Sequence, residues 1–194
     1  TVAAMRERLG LSIELAEAGE PLRNLNNIAS TSQDIRDLFD LLPTESEQDW
    51  ANISARLGDV KRALGGHVES LRLAASRGQV AASRQVRAVA GQAHNQAGES
   101  SSFLALVSSP ETQALPESLR KELAANAASA QAAYGDFANF LETELLPQAG
   151  EQDGVGRERY QLFSREFLGA TIDLDETYEW GRERLAAIDA EQRE

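Results

Sequence analysis

Between residues 50 and 71 the chain sets Trp50, Ile53, Leu57, Val60, Leu64, His67 and Leu71 at alternating steps of three and four. At 3.6 residues per turn this spacing gathers all seven on one stripe of a helix, whereas a strand would scatter them over both faces. The stripe has a marked start and stop. Thr44 and Glu47 stand at the spacing of a capping box, and Arg77-Gly78 ends the run. Gly58, Gly65 and Gly66 interrupt the composition of this predicted helix, each at a cost of roughly 1 kcal/mol relative to alanine. They predict a kink near Gly65–Gly66 or a close neighbour.

The same period recurs along the chain. Val2, Met5, Leu9, Ile13 and Ala16 share one face of a first helix, broken by Gly19, Pro21 and the asparagines Asn24, Asn26 and Asn27. Ser32 predicts the cap of a short helix carrying Ile35, Leu38 and Phe39, stopped by Pro43. Ala82, Val86, Val89, Ala93 and Ala97 make a stripe of small residues, followed by a break at Gly98 and a short apolar segment over 103–107. After Pro116, Leu119, Leu123, Ala127, Ala130, Tyr134, Phe137, Leu141 and Leu145 form the longest stripe, ended by Pro147. Tyr160, Phe163 and Phe167 mark a short helix closed by Gly169. Asp173 and Glu176 repeat the capping geometry ahead of Leu174, Tyr178, Gly181, Leu185 and Ile188. No segment alternates with period two and no repeat is visible. The prediction is an all-α protein, a single helical domain over 1–194 built of long antiparallel helical hairpins in an elongated bundle: short helices over 1–43, long helices over 44–146 and a helix pair over 157–194.

Composition narrows the function classes. Nineteen basic and 31 acidic side chains give a formal charge of −12, which repels phosphate and anionic lipid, so neither nucleic acid nor membrane is an expected partner. The absence of cysteine removes disulfides, thiolate nucleophiles and thiolate-bound zinc. No apolar run approaches the roughly 20 residues of a membrane helix. The chain opens at Thr1 without a signal-peptide pattern. A cytoplasmic location is the expectation, and a secreted or periplasmic one stays open because a leader could precede Thr1.

Motifs that could carry chemistry are sparse. His67 falls on an apolar stripe and His94 follows small residues. Neither has a second ligand at the three- or four-residue spacing that puts two donors on one helical face. Asp173, Asp175, Glu176 and Glu179 cluster, but they lack the alternating ligands and glycine turn of a calcium loop, and acids in a first turn serve the helix dipole. Ser118 and Lys121 match a Ser-x-x-Lys pattern without its companion motifs. Gly154 and Gly156 are half of a dinucleotide fingerprint in the wrong context. Lys61, Arg62, Arg72, Arg77, Arg84 and Arg87 make the middle of the chain locally basic, which suits surface ion pairs or a groove for a carboxylate. No catalytic, cofactor-binding or metal residue is assigned.

Several collinear segments carry a resemblance. They are Gln48-Asp49-Trp50 ahead of the long helix, residues 80–86, residues 140–147 (FLETELLP), residues 156–160 and residues 169–181. Together they resemble the actinobacterial branch of a bacterial zincin-like metallopeptidase family known as domain-of-unknown-function family 885. The resemblance implies a largely helical zincin whose N-terminal helices wall the substrate cleft. It also implies a zinc ion on a His-Glu-x-x-His helix further toward the C-terminus than residue 194. On that reading the chain is the non-catalytic part of a larger hydrolase, with no cofactor of its own. Its partners are the remainder of the parent chain and, in the intact protein, a peptide substrate. Some apolar stripes would pack on that remainder, and the isolated part would tend to self-associate. The alternative is a standalone helical interaction or scaffolding module.

Overall fold

The computed structural model describes residues 2–193, and every regular element among them is helical. The helices are α1 (Val2–Glu17), α2 (Thr31–Asp37), α3 (Glu47–Ser76), α4 (Ser83–Ala97), α5 (Ser102–Val107), α6 (Glu117–Phe140), α7 (Arg157–Leu168) and α8 (Leu174–Arg193). Short 3₁₀ turns and one π turn, Leu141–Leu145, lie between them. The chain is all-α, as the periodicity predicts. No helix among the described residues is long and apolar enough to cross a membrane. Contacts gather the helices into two compact units, one of residues 19–153 and one of residues 1–18 with 154–194.

In the larger unit α3 begins two residues later than the Thr44–Glu47 pairing predicts. Ser46 is the cap: its hydroxyl accepts the Asp49 amide at 3.2 Å, and the Asp49 carboxylate accepts the Ser46 amide at 2.9 Å. Both pairs have capping-box spacing. The later start leaves the Thr44 carbonyl free to accept the indole N–H of buried Trp50 at 3.1 Å, a donor that burial obliges to find a partner. The start of α2 shifts likewise. Its cap is Ser30 rather than Ser32, with the Gln33 side chain reaching back to the Ser30 amide at 3.1 Å. Ser32 instead gives its carbonyl to Tyr134 on α6.

All seven residues of the α3 stripe are buried, and the helix runs unbroken through Gly65 and Gly66. Its main partner is α6, in parallel register. Asn126 donates to the Ser54 carbonyl at 2.9 Å, His67 meets Phe137, and Arg72 meets Glu144. α4 runs antiparallel to the same α6: Gln131 donates to the Gly98 carbonyl, His94 contacts Glu142, and the Ser83 amide reaches the Gly150 carbonyl. α6 therefore serves α3, α4 and also α5, whose Phe103 ring lies 5.5 Å from that of Tyr134, and its buried face is wider than the predicted stripe, adding Ala133, Ala138 and Phe140. Ala127, Ala130 and Ala138, wholly covered, let backbones approach where larger side chains would not fit. Fully covered Ile53, Leu57, Leu123 and Leu141 each contribute about 1.5–3 kcal/mol.

Side-chain amides fasten the segment before α2 to α4. Gln33 donates to Gln92 at 2.7 Å, Gln92 to the Asn27 carbonyl at 3.0 Å, and the Asn27 amide to Gln85 at 3.1 Å. Gln85 and Gln92 lie seven residues apart on one face of α4.

The smaller unit departs from the predicted faces. α1 buries Leu11 and Leu15, while Val2, Met5, Leu9 and Ile13 are exposed. Charge fixes this choice: Arg165 on α7 holds Glu7 at 2.5 Å and Glu14 at 2.8 Å, and both lie on the Leu11–Leu15 side. Neither α7 nor α8 has a fully buried side chain. Asp173 caps α8 as predicted, its carboxylate accepting the amides of Asp175 at 2.9 Å and Glu176 at 3.1 Å.

Candidate functional site

The parallel pairing of α3 with α6 leaves a groove along one side of the larger unit. Parallel helices whose stripes both turn inward bring their flanking positions up to the seam, and here those flanks are charged. Lys61, Glu69 and Arg72 come from α3; Asp136 and Glu144 come from α6 and the π turn after it. Beneath them Leu64, Phe137 and Phe140 form a buried apolar floor with partly buried Val68. This hollow has a volume of about 370 Å³. A second hollow of about 190 Å³ meets it at Arg72, Phe140 and Glu144 and continues toward Ser76 and Gln148. From Lys61 to Ser76 the track follows α3 for about 22 Å, at 1.5 Å per residue.

Arg72 bridges the track. Its Nε and Nη2 donate to the two Glu144 oxygens at 2.9 and 2.8 Å, and its guanidinium lies 5.1 Å over the Phe140 ring. Those hydrogen bonds hold the Glu144 carboxyl below the usual carboxylate range and raise the arginine in turn. Lys61 and Asp136, by contrast, have no ion-pair partner among the described residues. Gly65 lines the groove, and a Cβ there would meet nothing within 4 Å. The fold does not need a glycine at that position, although one lowers helix stability by about 1 kcal/mol. What it provides is open backbone beside Lys61. Opposite charges above an apolar floor equip the groove to bind an extended polar chain.

The residues weighed from sequence are dispersed. His67 is buried between α3 and α6, its ring 5.4 Å from Phe137 and its Nε2 without a hydrogen-bond partner; burial pushes its pKa down to about 4. Exposed His94 contacts Glu142 at 3.0 Å. Ser118 lies in the first turn of α6, and Lys121 pairs with Glu117. Gly154 and Gly156 lie in the connection before α7. Of the basic set, Arg62 pairs with Asp59 and Arg84 with Asp153, and Arg87 donates to the Ser83 hydroxyl. Only Lys61 and Arg72 reach the groove. No group of three His, Asp or Glu side chains able to hold a metal occurs among the described residues, so this residue set does not fit a zinc site. Sequence reading missed Gly65, Asp136, Phe140 and Glu144 as one surface. The positions flanking the two longest stripes held the signal, but it becomes legible only once the parallel register is known.

Fold and groove together define an all-helical scaffold with a charged groove over an apolar floor. A model of the bacterial proteins of unknown function, DUF885, matches residues 1–194, and the chain belongs to that family. No curated protein matches it.

Proposed function

We propose that this chain is the non-catalytic helical portion of a zinc-dependent peptidase-like hydrolase and that the α3/α6 track forms part of its substrate-cleft wall. The observation that carries the reading is the track: about 22 Å long, apolar beneath and lined with both signs of charge. An extended peptide advances about 3.3 Å per residue, so six or seven residues would span it. The collinear resemblance supports the same reading, and membership of the DUF885 family is compatible with it. Metal chemistry belongs, on this proposal, to a downstream helix carrying His-Glu-x-x-His, since the residues described here do not fit zinc. In the intact protein the chain's own contribution is to hold and align the peptide: Lys61 for a carboxylate, Asp136 for an ammonium, the floor for apolar side chains.

The test is peptide hydrolysis by the protein of the intact reading frame, with and without chelator. Chelator-sensitive hydrolysis is expected, with Gly65→Phe raising KM several-fold while leaving kcat nearly unchanged. Lack of a His-Glu-x-x-His segment in that frame, or an unchanged KM, would overturn the reading. The exposed apolar side chains of α1 and α8 favour a second reading, a helical interaction module, which a frame lacking that segment would promote.

A further inference from the structure

Among the ten aspartates and seven asparagines of the chain, Asp153 alone is followed by glycine. The structure sets the pair apart a second time. Seven of the other aspartates lie within α-helices, where turning the backbone breaks helical hydrogen bonds. Asp40 lies in a 3₁₀ turn, and the carboxylate of Asp173 is occupied by the amides of Asp175 and Glu176. Residues 152–156 have no regular structure, and residues 151–156 are all exposed. The Gly154 amide makes no hydrogen bond among the described residues. One contact restrains Asp153: Nε of Arg84 on α4 donates to its Oδ2 at 2.5 Å, with the two side chains 66% and 43% exposed.

We propose that Asp153–Gly154 is a modification site at which isoaspartate forms spontaneously, with Arg84 as the restraint that slows it. The Gly154 backbone nitrogen attacks Cγ of the Asp153 carboxyl group. A carbon–nitrogen bond forms, and one carboxyl oxygen leaves as water with the amide hydrogen and the carboxyl proton. Water then opens the cyclic imide. Cleavage of the new bond returns aspartate. Cleavage of the original peptide bond leaves the main chain running through Cβ and Cγ, with the former backbone carbonyl as a free carboxylate. Nothing is oxidised or reduced, and water is the only co-reactant. Glycine favours the attack because it has no Cβ to shield the nitrogen and leaves the backbone free to turn. Arg84 opposes it because the carboxyl group must swing over that nitrogen, and the guanidinium holds one of its oxygens. The pair is exposed, so its restraint corresponds to no more than about fivefold in rate. Each conversion lengthens the main chain by a methylene and removes the Arg84 contact. The inference is independent of the catalytic reading.

The experiment ages the folded chain in near-neutral buffer over weeks. Isoaspartate is measured by methyl transfer from labelled S-adenosylmethionine with an isoaspartyl methyltransferase, and located by peptide mapping, which separates the isoaspartyl peptide from its aspartyl isomer of equal mass. Most of the label is expected at residue 153. Gly154→Ala should slow its appearance several-fold. That substitution is free of strain, since Gly154 does not have a left-handed φ and a Cβ there would meet nothing within 4 Å. Arg84→Ala should speed it by about two- to fivefold, the rate equivalent of a surface ion pair. Circular dichroism checks that both variants stay helical. Label confined to other residues, an unchanged rate in Gly154→Ala, or no acceleration in Arg84→Ala would each overturn the proposal.

Discussion

The imidazole of His67 on α3 packs against the ring of Phe137 on α6, centroids 5.4 Å apart and planes tilted by 43°, with Nε2 unpaired. His67 fills a place that leucine or valine fills elsewhere in the stripe. A neutral imidazole can occupy that place and an imidazolium cannot, because no acceptor faces Nε2 and apolar surroundings penalise the charge.

Stability should therefore fall in mild acid. The folded pKa is about 4 against 6.5 for the free group, so between those values the unfolded chain binds the extra proton. The contribution of a neutral His67 is fully present above about pH 6.5. It is lost as pH drops toward 4, by an amount on the order of 3 kcal/mol. Carboxylates titrate in the same window, so the useful measurement is the difference between the parent chain and His67→Leu in urea unfolding at pH 7 and pH 4.5. His67→Leu should show the shallower loss; parallel losses would contradict the assignment.

Tyr134→Phe should destabilise the larger unit by about 1–3 kcal/mol, the penalty for a buried acceptor left unmade. The Tyr134 hydroxyl donates to the Ser32 carbonyl at 2.6 Å across 102 residues of sequence, and burial pushes the phenol pKa upward. Amide exchange over α2 should quicken more than over α3. A variant as stable as the parent would show that the bond contributes nothing net.

How far the sequence is legible depends on what each signal is about. The stripes of α3 and α6 report burial along one helix, and every residue in them is buried, although α6 buries Ala133, Ala138 and Phe140 besides. Caps are legible as a spacing and ambiguous in register: Thr44–Glu47 and Ser46–Asp49 both qualify, and only the acceptor needed by the Trp50 indole decides between them. The face of α1 is misread because periodicity finds an apolar stripe without saying whether anything covers it. Arg165, some 150 residues away, pins the opposite side. The groove requires knowing that α3 and α6 run parallel, which neither helix encodes by itself. The glutamine contacts of α4 are hidden for the same reason, since Gln85 and Gln92 look like solvent-facing residues until Asn27 and Gln33 are brought beside them.

Asp173→Ala should weaken the start of α8 by about 1 kcal/mol, the usual worth of an N-cap side chain. Asp173 accepts two first-turn amides, so exchange at Asp175 and Glu176 should accelerate about fivefold, the rate equivalent of that energy. Asp173→Asn, which keeps the acceptor, should restore most of the protection. Unchanged exchange in the alanine variant would show that the cap is replaceable by water.

This chain by itself should not bind zinc tightly. A tight site needs three or four convergent donors, and carboxylates alone rarely supply one without histidine support. Of the two histidines, His67 is enclosed by apolar neighbours with no carboxylate within hydrogen-bond reach of Nε2. His94 has a single acidic partner, Glu142, at 3.0 Å. That pair gives two donors, and no third His, Asp or Glu joins them among the described residues. Calorimetric titration with zinc at pH 7 should therefore show only weak binding, abolished by His94→Ala. His67→Ala should leave the binding isotherm unchanged and reveal itself only in stability. Stoichiometric sub-micromolar binding would contradict the geometry. Survival of such binding in the His94→Ala variant would further require carboxylates that lie apart in this structure to converge on the metal.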